Sequence, residues 1–435
     1  APKSVIAPKK TPPMSTHSRT GSQPKAMATI VPVTGPAPQI ELNWCENAVK
    51  AETGEKLLME NLESIWKDIT SRKMYITGAC GALYDGTSPD GTCYEPDSIQ
   101  KVHQSYGRPY QLPNSTAHNE TCANIGNLLF NWRMFQTSGN ARYVDIVENC
   151  LYNSILSGIS LDGKRYFYTN PLRISADLPY TLRWPKQRTE YISCFCCPPN
   201  TLRTLCEVQN YVYTLSDEGV WCNLYGGSEL DTEWMGNHIQ LLQETDYPWD
   251  GAVSITLKEV PEKKSLSLFL RVPEWCTKAT LAVNDVPVTT DLKAGTYAEI
   301  KRIWKKGDRV AFVMGMEPVL LESHPLVEET RNQVAVKRGP VVYCLESMDV
   351  EAGKRIDDIL IPADIKFSPV KTEIAGSRVT VLDGIAHSVD SDSWEGKLYR
   401  KVAENGDRIP IRLIPYYAWG NRGESEMIVW MLLER

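Results

Sequence analysis

In AETGEKLLMENLESIWKDI, residues 51–69, the apolar side chains Leu58, Leu62, Ile65 and Ile69 recur at three- and four-residue intervals. That spacing lines up one face of an α-helix. HNETCANIGNLLFNWRMFQTSG repeats it with Ile125, Leu128, Leu129, Trp132 and Phe135 on one face, and ARYVDIVENCLYNSILSGIS reads as a third helix. A fourth starts after Pro199 and runs through TLRTLCEVQNYVYTL. Beyond about Val220 the period drops to two: GAVSITLKEV, KKSLSLFLRVPEW, ATLAVNDVPV, TYAEIKRIW, GDRVAFVM and NQVAVKRGPVVYCLE alternate apolar and polar positions between turn signals. The pattern predicts a multidomain protein, α then all-β. Helices joined by elaborate loops suggest part of a helical barrel over residues 46–218. Two β-sandwiches are expected after it, one over 219–321 and one over 322–421. The closing MIVWMLLER, within 422–435, is expected to rejoin the first.

Composition changes the picture mainly at the N-terminus. Residues 1–40 hold eight prolines and no aromatic or acidic residue, too little apolar surface to offset the entropy of ordering. Residues 1–45 are therefore expected to be a disordered or non-native leader. With 435 residues, 42% apolar, two or three cores are within reach. A net charge of −6 without a basic stripe argues against nucleic acid and membrane partners and favours a small neutral or sugar-like ligand. No apolar run approaches the ~20 residues of a membrane helix, and no signal-peptide block precedes residue 30. A soluble chain is expected, with bacterial cytoplasm and periplasm both open as its location. The Gly/Pro/Tyr-rich stretch from Gly78 to Asn114 is too long for a bland connection and marks a candidate site loop.

The twelve cysteines lack the regular spacing of a small disulfide scaffold. Eight (Cys45, Cys80, Cys93, Cys150, Cys206, Cys222, Cys276, Cys344) stand alone and read as small core residues. The others cluster: Cys194, Cys196 and Cys197 in YISCFCCPPN, and Cys122 in HNETCA. Zinc favours thiolates, and a carboxylate can complete a site with three sulfurs. Adjacent Cys196 and Cys197 reach one ion only where the backbone turns sharply. Pro198 and Pro199 supply that constraint, Pro198 biasing Cys197 away from helix. The helix after Asn200 would lower thiol pKa. Glu120 and Cys122 would point apart on a regular helix, so they share an ion only at a helix entry or in an extended segment. A solvated Glu120 and a core Cys122 remain the alternative.

LPNSTAHNETCANIG, YFYTNPLR, CFCCPPNTLR and FLRVPEW resemble glycoside hydrolase family 127, the cysteine-dependent β-L-arabinofuranosidases, over about Ala51 to Arg435. The resemblance implies an (α/α)6 catalytic barrel followed by two β-sandwich domains. It implies one Zn²⁺ held by Glu120, Cys122, Cys196 and Cys197, with Cys196 the nucleophile of a retaining mechanism through a thioglycosyl intermediate. Tyr168 and Glu148 align with positions that help form the family's sugar pocket. Cys194 has no role in that scheme and is expected to be structural. Lys186 and Arg188 are expected in an exposed charge cluster.

The sequence departs from the family in two places. The general acid/base is a Glu sixteen residues before the ETC glutamate, and that position holds Gln104. An amide neither donates nor accepts a catalytic proton as a carboxyl does. His103, an acidic substrate such as aceric acid of pectin, or loss of activity would each reconcile this. Members also carry a much longer stretch of barrel before the ETC motif, so the first part of the barrel is expected to be missing, as from a truncated gene or altered reading frame. The leading reading is a zinc-cysteine hydrolase acting on a plant cell-wall oligo- or polysaccharide, with a homodimer left open. A catalytically impaired carbohydrate-binding homologue and a structural zinc or thiol protein are the alternatives.

Overall fold

The structure is a computed structural model that describes residues 33–34, 56–84, 105–176, 182–389, 396–401 and 406–435. Apart from Val33–Thr34, which pair parallel with Leu230–Asp231, the expected leader lies outside the described residues, as do His103, Gln104, Cys45 and Cys93. Among the described residues there are four α-helices: α1 (Lys56–Arg72), α2 (Thr121–Ser138), α3 (Ala141–Asn149) and α4 (Cys197–Glu207). The chain packs as two units.

The first unit contains Leu129–Glu148 and Arg203–Met316. Its strands form a seven-stranded and a four-stranded sheet. The alternation read from the sequence is realised directly. Val253, Ile255 and Leu257 turn inward from strand Ala252–Glu259, as do Val310, Phe312 and Met314 from its antiparallel neighbour Arg309–Met314. Strand Ser265–Val272 is buried almost end to end, and its Arg271 side chain reaches Asp145 and Glu148 on α3.

The second unit contains Glu63–Leu128, Asn149–Leu202 and Glu317–Arg435. Its β part departs from expectation. Strands Gln333–Arg338, Met431–Glu434, Ile359–Pro362, Ser377–Ser388, Arg408–Pro415 and Val341–Glu346 pair in that order, and the last pairs back onto the first, Val336 opposite Tyr343. This is a closed six-stranded barrel rather than an open sandwich. The terminal strand therefore does not rejoin the first sandwich. It pairs antiparallel with Gln333–Val334 and parallel with Leu360–Pro362 and completes the barrel wall. Closure leaves those strands without a free edge.

The third predicted helix is also interrupted. Cys150–Ile155 widens into a π-helical turn after α3 and tightens into a 3-10 turn at Leu156–Gly158. Within the turn, the Asn153 amide donates to the Pro340 carbonyl (2.9 Å) and accepts from the Val342 N–H (2.8 Å), docking the turn onto a barrel strand.

Candidate active site

Glu120 reaches the site on extended backbone. The His118 and Asn119 N–H groups donate to the carbonyls of Ala82 and Gly81, each at 3.0 Å, and Glu120 forms a bridge with Thr169. Asn119 takes a positive φ of 39°, a conformation asparagine tolerates better than most residues, and turns the chain into α2. The Glu120 carbonyl then accepts the first helical hydrogen bond, from Asn124 N–H at 3.0 Å. Glu120 thus caps the helix from outside while Cys122 sits in its first turn, and the two side chains converge. A buried network fixes this entry. Asn170 donates to the Asn119 carbonyl (2.9 Å) and to Thr121 Oγ1 (3.0 Å), and Ser157 donates to Asn170 Oδ1 (2.6 Å).

The other pair arrives in the same way. The Cys196 carbonyl accepts from Asn200 N–H at 3.3 Å, so Cys196 caps α4 and Cys197 is its first residue. Pro198 disfavours a helical Cys197, yet the helix includes it. Pro198 and Pro199 occupy first-turn positions whose N–H groups have no partner within a helix. Two positive helix ends meet at the cluster, an arrangement that favours anions.

The ligand atoms of Glu120, Cys122, Cys196 and Cys197 all lie within 4.8 Å of one another. Cys122 Sγ is 3.6 Å from Cys197 Sγ, which is 3.7 Å from Cys196 Sγ. Glu120 Oε1 lies 3.5 Å from Cys196 Sγ and 3.7 Å from Cys197 Sγ. Metal bonds of ~2.3 Å to sulfur and ~2.0 Å to oxygen give tetrahedral edges of about 3.8 Å between sulfurs and about 3.5 Å between sulfur and oxygen. These four of the six edges match, and the other two lie within 4.8 Å, so the residues fit a four-coordinate metal ion. The protons also show what a cation would change. The hydrogen bond from Cys197 holds the Cys122 thiol down at about 7, while burial and the neighbouring Cys122 charge push Cys196 up to about 12. Donation to Cys122, then burial, raises Cys197 as well. The protein alone thus favours one thiolate, and three need positive charge.

Tyr168 lies against this cluster. Burial raises its hydroxyl pKa, followed by the charges of Glu120 and Cys196 and a hydrogen bond to Glu120. Trp184 stacks on Tyr168 at 3.7 Å, and Tyr84 packs edge-on to His118 at 4.6 Å. Tyr84, Tyr168, Trp184, Ile192 and Cys197 share one apolar cluster. Trp184 and Tyr84 were missed because no local spacing links them to the cysteines, and His118, although it opens HNETCA, was not singled out.

Several expectations are corrected. Glu148 is buried in the first unit, where Arg271 and Tyr247 donate to Oε1 and Trp275 Nε1 to Oε2. It braces a strand. Arg188 is buried too, donating to the carbonyls of Ser157, Tyr417 and Trp419, and burial lowers its pKa to about 9. Lys186 donates to the Ser175 carbonyl at 2.9 Å. Cys194 is exposed, 3.8 Å from Cys196 Sγ, and so is no core thiol. Of the isolated cysteines, Cys206 is exposed, whereas Cys80, Cys150, Cys222, Cys276 and Cys344 are buried as expected.

Profiles for the β-L-arabinofuranosidase GH127 catalytic domain, the GH127 middle domain and the glycoside hydrolase family 127 C-terminal domain match residues 44–210, 219–316 and 318–432. The chain belongs to glycoside hydrolase family 127. A non-reducing end β-L-arabinofuranosidase of Bifidobacterium longum subsp. longum is 30% identical over 390 residues, covering 87% of this chain and 56% of the relative. Among solved structures, one described as a glycoside hydrolase superposes with a TM-score of 0.85 at 69% identity, over 90% of this chain and 64% of its own. A GH127 β-L-arabinofuranosidase from Geobacillus stearothermophilus T6 superposes with a TM-score of 0.81 at 34% identity, over 89% and 59%. The chain therefore spans about three-fifths of the length of these family 127 relatives. No helix among the described residues is long and apolar enough to cross a membrane.

Proposed function

We propose that this chain carries the nucleophile and the metal ligands of a retaining glycoside hydrolase that releases L-arabinofuranose-type sugars, its helices forming part of an (α/α)6 barrel. The substrate would be an arabinofuranoside-containing oligo- or polysaccharide of plant cell-wall type. The observation that carries the reading is the set of one carboxylate and three sulfurs at two helix N-termini. Glu120, Cys122, Cys196 and Cys197 would hold Zn²⁺, which supplies the positive charge that keeps the thiols ionised at neutral pH.

Cys197 is 1% exposed, whereas Cys196 is only partly buried. Cys196 is therefore the sulfur of the adjacent pair that a sugar can approach. Its thiolate attacks the anomeric carbon, forming a C–S bond as the glycosidic C–O bond breaks and the leaving oxygen takes up a proton. Water then displaces the sulfur, and two inversions leave net retention. Tyr168 orients Glu120, and the Tyr168–Trp184 stack provides an apolar wall beside the reacting atoms. Proton delivery is the open role: Gln104 stands at the family's acid/base position, leaving His103 or a carboxylate on the substrate, as in aceric acid, to serve.

An electrophilic furanoside trapping reagent should label Cys196, read by peptide mass spectrometry, and one zinc per chain should be lost in Cys122→Ser. Labelling of Cys194 instead, or unchanged metal content, would overturn the assignment.

A further inference from the structure

The second unit holds a cavity of 280 Å³ that the mechanism above does not use. It lies between the end of α1 and the segment Leu321–Thr330. Its volume sits just below the ~300–1,000 Å³ of most small-molecule sites, so it suits one ring rather than a whole chain. Ile76, Val327 and Trp430 contribute apolar wall, and Tyr110, Asn114 and His324 contribute polar groups.

Three features give this cavity a chemistry. The Tyr110 and His324 rings stack at 4.5 Å and 20°, each covering one face of the other and keeping its outer face. His324 Nδ1 accepts the Leu326 N–H at 3.2 Å, which leaves the ring proton on Nε2 as a donor. Asn114 is 7% exposed, and its side-chain oxygen is buried without a hydrogen-bond partner, a costly state that a ligand hydroxyl would relieve.

The surround is already fixed. Tyr110 N–H donates to the Arg72 carbonyl at 2.9 Å, and Tyr110 is held at a φ of 67°, a strained conformation for an aromatic residue. Tyr75 donates to the Pro113 carbonyl at 2.7 Å, and Asn114 N–H to Glu329 Oε2 at 2.7 Å. The charges at the rim are paired, Arg72 with Asp68 and Glu322 with Arg435, which favours a neutral ligand.

We propose that this cavity is a second carbohydrate site, binding one sugar ring of an oligosaccharide while another part of the glycan reaches the thiolate cluster. Aromatic rings take the C–H face of a sugar, and the amide and imidazole take its hydroxyls. Asn114 and Glu120 are six residues apart, at most roughly 20 Å of extended chain. A short oligosaccharide can span that distance. The choice of sugar rests on the reading under "Proposed function".

The test is calorimetric titration of the full chain with an L-arabinofuranosyl oligosaccharide, in a Cys196→Ala background that prevents turnover, with and without His324→Ala or Asn114→Leu. We expect each cavity substitution to weaken binding by about tenfold or more. In the parent with Cys196 intact, His324→Ala should leave hydrolysis of a one-ring aryl arabinofuranoside unchanged and raise KM for the oligosaccharide. No binding in the Cys196→Ala background, or equal affinity with and without both cavity substitutions, overturns the proposal. If the cavity variants bind more weakly while no arabinofuranoside is hydrolysed by any form, the carbohydrate site stands and the hydrolase reading falls.

Discussion

The residue on which the family chemistry turns is Gln104. A carboxylic acid at this position would protonate the departing oxygen, and general acid catalysis is typically worth about 10²–10⁴-fold. With an amide there, aryl furanosides with good leaving groups should react while natural glycosides react slowly. Gln104→Glu should then raise kcat/KM on a natural arabinofuranoside and change it little on an activated one, as initial rates will show. A fall in both would place proton delivery with His103 or with the substrate, since the new charge would compete in the pocket. The cysteines differ in legibility from Gln104. Their type and clustering stand in the sequence, whereas the exposure of Cys194 and the burial of Cys197 depend on neighbours distant along the chain.

Among the elements, strand Ser265–Val272 and α3 are tied by a buried charge cluster. Arg271 is fully buried between Asp145 and Glu148. Arg271→Met would leave two buried carboxylates without their cation and should cost ~3–5 kcal/mol in urea unfolding. Asp145 adds a pH signature. Burial, only partly offset by Arg271, raises its carboxyl to about 6 in the folded chain. The folded value exceeds that of the unfolded chain, so this group's contribution is full below pH ~4 and lost as pH rises through ~6, a change of about 2–3 kcal/mol. Asp145→Asn should flatten the parent's stability profile across that window. An unchanged profile would mean that the carboxyl is ionised throughout.

For the whole molecule, the decisive feature is closure of the β-barrel by the last strand. Met431–Glu434 lies between Gln333–Arg338 and Ile359–Pro362. Deleting residues 431–435 should expose two strand edges, lower Tm in calorimetry and promote aggregation at micromolar concentration. Had that strand belonged to the first sandwich, the same deletion would leave the barrel transition in place. Metal content should fall with it, because the cysteine cluster lies in the same unit.

Local pattern was enough to place the helices but not their ends, the fourth stopping at Glu207 with Tyr213–Leu215 a strand, and to show the change to period-two strands near Val220, because side-chain periodicity is a property of nearby residues; the grouping of Glu120 with three cysteines needed the family resemblance as well. Local pattern also anticipated that Glu120 and Cys122 meet only at a helix entry, which the bridge to Thr169 and the bond from Asn124 establish. Partner choice was not local. Whether Met431–Glu434 joins a sandwich or closes a barrel depends on which edge is free, and whether Glu148 faces a sugar or Arg271 depends on a strand more than a hundred residues away. The Tyr168–Trp184 stack and the Tyr110–His324 pair likewise arise only when separate segments pack. Burial and pairing are properties of the assembled core, so tertiary structure alone decided them.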